Sequence, residues 1–407
     1  MCGLLCIGAS TGTSAASAQS LSLHDAVQAA LSSPQAQAAA AQTEGARGQL
    51  KQAGLGPNPR LFLQSEDWRP WDDDFDFGSQ TENYAFLSQT LETAGKRGKR
   101  VSLGRARVAE AEAREQIARF TLAAHVAGVY YNTVVLRRVA GLLEQDMHTV
   151  DEMVRYDQLR VNEGAMRGVD LLRMKIEHDR LLLALRSAER DAAQAQLELL
   201  KQMGRAPSTQ PLELTDRIDQ AAGLAVIAPV PVDQVLAQRA DLQELRAAVS
   251  AAEADLAVQR SLRVPNLDLV GGYKRNGAFN TGYSALQLDL PFRNRNQGEI
   301  ERAQAAVQYA RSSLAAAELR VRAEVAQSEE SYRQERDIVE HVLPDMRSNA
   351  QQNLALLTEA YRLGGVDLLR FLDAERTAFD VEVSALRTVA DFRQAALRLQ
   401  LSYGEQP

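Results

Sequence analysis

The sequence predicts a mainly α-helical chain with a small β part, in which one plan of helix, two strands and long helical hairpin is used twice. Three observations carry this. Glycines recur at a spacing of 200 residues: Gly98 with Gly298, Gly164 with Gly364, and Gly204 with Gly404. A coincidence of this kind along a whole chain reads as internal duplication. The hexapeptide Gly-Val-Asp-Leu-Leu-Arg occurs at Gly168–Arg173 and again at Gly365–Arg370. Finally, aromatics make up only 5% of the 407 residues and charged residues 24%, a mix that favours long helices with small-residue interfaces over one thick core.

The elements follow in order. Residues 1–18 read as a secretory leader: Leu4 to Ala18 is small and apolar, and Ala16-Ser17-Ala18 before Gln19 has the small-x-small form of a cleavage site, placing the cut between Ala18 and Gln19. Cys2 and Cys6 both fall in the leader, so the mature chain is expected to hold no disulfide or thiolate metal site. The first repeat, 19–204, opens with a helix from Leu23 to about Ala53, with Val27, Ala30 and Leu31 spaced for one face. Gly54-Leu55-Gly56-Pro57-Asn58-Pro59 ends it. Strands are expected over 60–69 and 83–92. The first sets Leu61 and Leu63 against Phe62, Gln64 and Glu66, and the second sets Ala85, Leu87 and Leu91 against Tyr84, Phe86, Ser88 and Thr90. Between them lies an acidic, aromatic loop with Trp71, Asp72, Asp73, Asp74 and Asp76. A proline-free helical run then extends to about Arg160, roughly 90 Å long, and a turn at Asn162–Gly168 leads into a helix ending near Gly204.

Residues 205–232, with four prolines and no strong period, read as an irregular connector. The second repeat, 233–404, restates the plan: a helix to Ser261, strands at about 266–275 and 282–291, and a second very long helix to about Leu363, kinked at Pro344. The return helix from Gly365 ends near Tyr403.

Strands of about ten residues are long enough to cross a bilayer when tilted. Four of them cannot close a barrel, and an open sheet edge cannot face lipid, so a transmembrane reading requires several subunits to share one barrel. Two chains give eight strands and three give twelve; a small soluble sheet is the alternative. The long helices carry broad bands of alanine, valine and leucine, as in Ala123–Val135 and Ile300–Val325, which suit a ring of helices touching neighbours on both sides. The net charge of −7 and the absence of a basic face argue against nucleic acid.

At this point the motifs resemble the TolC family of bacterial outer-membrane channels, and within it the branch serving heavy-metal resistance pumps, the CzcC-like proteins. The resemblance covers essentially the whole mature chain. It is carried by Ser88-Gln89-Thr90-Leu91-Glu92-Thr93-Ala94-Gly95-Lys96-Arg97, by Leu290-Pro291-Phe292-Arg293-Asn294-Arg295-Asn296-Gln297-Gly298-Glu299-Ile300, and by Tyr361-Arg362-Leu363-Gly364 with Phe371-Leu372-Asp373-Ala374. It implies a homotrimer with a twelve-stranded β-barrel in the outer membrane, continued by a helical barrel through the periplasm. It also implies two partners, a periplasmic adaptor and an inner-membrane proton-driven pump of the resistance-nodulation-division type. No cofactor is implied.

The resemblance directs attention to the hairpin tips, where such channels close. The expected pore-tip residues are Asp170, Arg173, Asp367, Arg370 and Asp373. Aligned on the glycines, the two tips carry opposite charges at matching places, and this suggests Asp170–Arg370 and Arg173–Asp373 pairs as a latch. Gly164, Gly168, Tyr361, Gly364 and Gly365 are the expected adaptor contacts. Asp72, Asp73, Asp74 and Asp76 would sit at the extracellular mouth, with Trp68 and Trp71 in an interfacial belt. The five histidines, His24, His125, His148, His178 and His341, are scattered; His178, beside Glu177 and Asp179, reads as an exposed helix face. No nucleophile–base pair or phosphate loop appears, and no enzymatic activity is expected. The function expected is a passive efflux duct for heavy-metal cations of the cobalt, zinc and cadmium type. The rivals are a channel for drugs, solvents or secreted proteins, and a periplasmic coiled-coil adaptor.

Overall fold

The structure, a computed structural model, describes residues 20–216, 226–277 and 279–405. The leader and its Ala18–Gln19 cleavage point lie outside the described residues. The chain begins with a two-residue strand β1 (Ser20–Leu21) and helix α1 (Leu23–Leu31), whose Ser22 and Asp25 form a reciprocal capping box. Helix α2 (Pro34–Ala53) follows after a break. A single helix from Leu23 to Ala53 was expected. Instead Ser33 caps α2, and Pro34, without an N–H, occupies its first turn and bars Ser33 from helical backbone.

Next come strand β2 (Arg60–Glu66), a short helix α3 (Phe77–Gln80), and strand β3 (Glu82–Leu91). The first hairpin is α4 (Lys96–Asn162), 67 residues or roughly 100 Å, and α5 (Gly168–Gln202). The connector holds one further short strand, β4 (Glu213–Leu214), which pairs in parallel with β1. Then α6 (Val232–Gln238), α7 (Ala240–Ser261) and strands β5 (Leu267–Asn276) and β6 (Phe279–Leu288) lead to α8 (Gln297–Asp337). The expected kink at Pro344 takes the form of a π turn, Ile338–Val342, before α9 (Leu343–Arg362). Pro344 cannot donate to the residue four before it and its ring crowds that carbonyl, so the helix widens there. Helix α10 (Leu368–Tyr403) returns to the middle of the molecule.

The four long strands form one antiparallel sheet in the order β2-β3-β5-β6. Its register places Leu61 opposite Leu87, Leu63 opposite Ala85 and Ala85 opposite Tyr273, while Leu269 faces Leu286. Directly opposed residues share a face, so Leu61, Leu63, Ala85, Leu87, Leu269, Tyr273 and Leu286 gather on one side of the sheet, with polar residues such as Asn83 and Arg275 towards one end of it. The other side carries Gln64, Tyr84, Lys274 and Thr281 in one row. On that polar side Phe86 stacks 6.4 Å from Phe62 and lies 4.8 Å from Tyr283, crossing over Gly272. Gly272 is obligatory there, because a Cβ would overlap the Ala85 carbonyl and the Phe86 ring.

No helix among the described residues is long and apolar enough to cross a membrane. Among the described residues, apolar burial is divided among three clusters strung along the helices. One gathers Leu21, Val27, Leu122, Tyr130 and Leu199; a second gathers Val235, Leu242, Val321, Phe392 and Tyr403. The third, towards the hairpin tips, holds Leu143, Met153, Met174, Tyr361, Leu368 and Phe371.

Candidate functional site

The two hairpin tips are built alike. In the first, the Gly164 N–H bonds to the Val161 carbonyl at 3.1 Å and the Ala165 N–H to that of Arg160 at 2.8 Å. In the second, Gly364 bonds to Tyr361 at 3.0 Å and Gly365 to Ala360 at 2.7 Å. These are paired Schellman bonds, which stop a helix by sending the next residue into left-handed backbone. Gly164 and Gly364 take φ of 71° and 74° accordingly. Gly204 and Gly404 end α5 and α10 in the same way, at φ of 68° and 86°. Gly98 and Gly298 instead lie inside the first turns of α4 and α8.

The repeated hexapeptide is used differently in its two copies. Gly168 opens α5 and Asp170 lies in that helix's first turn. Asp367, by contrast, is the N-cap of α10, its Oδ1 accepting the Arg370 N–H at 3.0 Å. The cross-tip pairs suggested by charge alignment do not form within the chain. Asp170 is held by its neighbours instead, 3.1 Å from Arg167 and 3.9 Å from Arg173, because residues three apart on a helix are already adjacent. Arg173, Asp367, Arg370 and Asp373 are exposed on the surface of the single chain. With Arg160, Asp170 and Tyr361, Arg173 and Asp367 line a groove of about 450 Å³ between the tips; Arg370 and Asp373 lie outside it.

Tyr361 corrects another expectation. It lies inside the tip, 4% exposed, and not on an outer face available to a partner. Its ring stacks on Phe371 at 5.0 Å, and the Arg160 guanidinium sits 5.9 Å above it. The hydroxyl donates to the Asp157 carboxylate, 3.0 and 3.1 Å from its two oxygens. Asp157 is fully buried on α4, and burial holds its pKa above the usual carboxylate range despite the Tyr361 hydrogen bond. The same burial, with Asp157 beside it, raises the Tyr361 hydroxyl well above its ordinary value. This contact joins the second hairpin to the first, and nothing local in the sequence signals it.

A second polar layer sits deeper in the hairpins. Glu177 of α5, 4% exposed, receives Arg376 of α10 through both carboxylate oxygens, with Nε 3.0 Å from Oε1. His178 is not the free helix face expected: it is half-buried, with Nε2 3.0 Å from Asp151 across the hairpin and Nδ1 3.0 Å from Asp179. No group of three or more metal-ligating side chains with suitable spacing occurs among the described residues.

At the opposite end of the molecule, Asp76 caps α3 by accepting the Gly78 N–H at 3.1 Å and the Ser79 hydroxyl, which lowers its pKa. Asp72 lies 3.9 Å from Arg69. Asp73 and Asp74 complete the exposed acidic loop, and Trp68 and Trp71 project from it, 62% and 79% exposed.

Comparison with known proteins bears on this architecture. The cobalt-zinc-cadmium resistance protein CzcC of Cupriavidus metallidurans is 24% identical over 376 residues, covering 90% of this chain and 86% of that protein. Among solved structures, CusC superposes with a TM-score of 0.79 at 18% identity, covering 94% of this chain and 92% of its own. VceC of Vibrio cholerae gives 0.76 at 19%, with 94% and 96% covered, and the open-state MtrE channel of Neisseria gonorrhoeae gives 0.79 at 19%, with 94% and 89%. These likenesses share the whole fold. The model of the family described as "Outer membrane efflux protein" matches residues 26–205 and 232–405, so this chain is a member of that family and works in the outer membrane.

Proposed function

We propose that three copies of this chain form a twelve-stranded barrel in the outer membrane, continued into the periplasm by a ring of helical hairpins, and that this duct exports heavy-metal cations. The observation that carries the reading is the sheet. One face gathers Leu61, Leu63, Leu87, Leu269 and Leu286, the other carries the Gln64–Tyr84–Lys274–Thr281 row, and the outer strands β2 and β6 are each paired on one side only among the described residues. In lipid such edges must be closed by other copies of the chain. The apolar face then meets hydrocarbon, and the Gln64–Tyr84–Lys274–Thr281 row faces water in the lumen.

On this reading the hairpin tips are the periplasmic gate. Asp170, Arg173, Asp367, Arg370 and Asp373 surround the pore, and the turns at Gly164, Gly168, Gly364 and Gly365 meet a periplasmic adaptor that links the duct to an inner-membrane pump of the resistance-nodulation-division type. Asp72, Asp73, Asp74 and Asp76 line the extracellular mouth. The duct selects little by itself; the metal assignment is supported by the likeness to CzcC along nearly the full chain. Two experiments test the proposal. The protein should require detergent for release from outer membranes and run as a trimer. Deleting its gene should lower zinc, cobalt and cadmium tolerance. Unchanged metal tolerance with altered drug sensitivity would transfer the duct to drug export, and recovery from the soluble periplasm without detergent would end the channel reading.

A further inference from the structure

In the half of the molecule nearer the four-stranded sheet, the helices pack side by side in the order α2-α4-α7-α8, which puts α2 and α8 at the two edges. Each edge helix buries one stripe against the chain and turns a second one outward. On α8 the buried stripe includes Ala303, Val307, Ala317 and Val321. Two residues further along, about 200° around the axis, lie Ala305, Tyr309, Ser312, Ala316 and Leu319, spaced four and three apart and all exposed. Tyr309 is 76% and Leu319 70% exposed. On α2 Ala36 and Thr43 are buried, while Ala38, Ala41, Gly45 and Gly48 form an exposed stripe without one large side chain. A Cβ on Gly45 or Gly48 would meet nothing within 4 Å, so packing inside the chain does not call for these glycines, although glycine weakens a helix interior.

The duplication supplies the missing neighbour. Helices α2 and α7 are counterparts, each followed by Pro-Asn at 57–58 or 265–266, and α8 is the counterpart of α4. Inside the chain α4 packs along α7. For α8 to make the same contact it needs an α2, and its own stands at the far edge. We propose that α8 packs along α2 of the next copy, with Tyr309 seated over Gly45 of that copy. This rests on the ring reading above and names the seam that closes it, since a head-to-tail contact repeated around an axis makes a ring. The register follows from contacts within one chain. Thr43 donates to the Ala111 carbonyl at 3.4 Å, and Leu50 lies against Gly104, so residue 109 of α4 stands level with Gly45. The spacing of 200 residues makes Tyr309 the counterpart of that position. By the same register Ala316 stands level with Ala38. A large ring on one helix meets the one place on the other that has no side chain. Glu301 and Lys51, both exposed and without an ion pair among the described residues, fall near each other at the sheet end of the seam.

The test uses the full chain carrying Y309C and G45C together; Cys2 and Cys6, its only other cysteines, lie in the expected leader. Mild oxidation in outer membranes should link the protein covalently into trimers on non-reducing gels. Y309C with A38C, about 10 Å out of register, should stay unlinked. G45L adds bulk where the single chain has room, so it should fold and fail to assemble, and Y309A should lower the temperature at which trimers separate. Trimers with no link between positions 309 and 45, or linked equally through position 38, overturn the seam and leave the ring standing. G45L trimers as stable as the parent's overturn it as well. A chain that is monomeric in detergent overturns both the seam and the ring.

Discussion

Replacing Tyr361 by Phe removes one oxygen atom from the centre of the tip and leaves the stack on Phe371 intact. The Asp157 carboxylate, 0% exposed, then keeps its burial and loses the hydroxyl that now lies 3.0 Å from Oδ1. A hydrogen bond to a charged acceptor contributes about 1.5–3 kcal/mol, and the acceptor left behind is desolvated without compensation. We expect the closed tip to weaken by about 2 kcal/mol, roughly a 30-fold shift towards the open arrangement in each protomer. Single-channel recording should show Tyr361→Phe at higher conductance than the parent. A double-mutant cycle with Asp157→Asn isolates the pairwise term. A coupling below about 0.5 kcal/mol, with unchanged conductance, would refute the idea that this contact holds the hairpins together.

Asp373→Ala, at an exposed tip position, should raise single-channel conductance with little change in thermal stability; an unchanged conductance removes Asp373 from the gate. Gly364→Ala meets no atom within 4 Å, so its effect is backbone strain alone at φ 74°, and it should destabilise the chain by about 1–2 kcal/mol, read as a lower Tm. Leu87→Lys on the apolar face of β3 should cost about 2–4 kcal/mol if it lies near the bilayer midplane and reduce trimer yield in membranes. Gln287→Lys, on the opposite face of β6, should assemble normally; equal loss from both would contradict the assignment of the faces.

Much of the fold was legible because its signals are local. Alternation in Tyr84–Leu91 marks a strand with unlike faces, and the structure places those faces as the pattern predicts. Gly164, Gly204, Gly364 and Gly404 mark helix ends because left-handed backbone favours glycine. The break at Ser33-Pro34 was also written locally, but the apolar spacing of Val27, Ala30 and Leu31 masked it. The tip was less legible. Charge alignment suggested partners for Asp170 on the other hairpin, whereas Arg167 and Arg173 were nearer along its own helix. Asp157 and Tyr361 meet across 204 residues, and Glu177 and Arg376 across 199, distances at which one sequence carries no pairing signal. Burial of polar side chains is a property of how helices stack, and the helical period alone does not distinguish a buried Asp from an exposed one.

The division of apolar burial into three clusters has a consequence for motion. A single thick core opens as one cooperative unit, but clusters strung along helices of this length can open separately, each with its own free energy. The cluster of Leu143, Met174, Tyr361 and Phe371 is separate from the one around Val321 and Phe392. Amide hydrogen exchange should therefore show protection falling towards the tips while the middle of the molecule stays slow. Such a gradient would make the tips the part of the chain that yields first, without unfolding the middle.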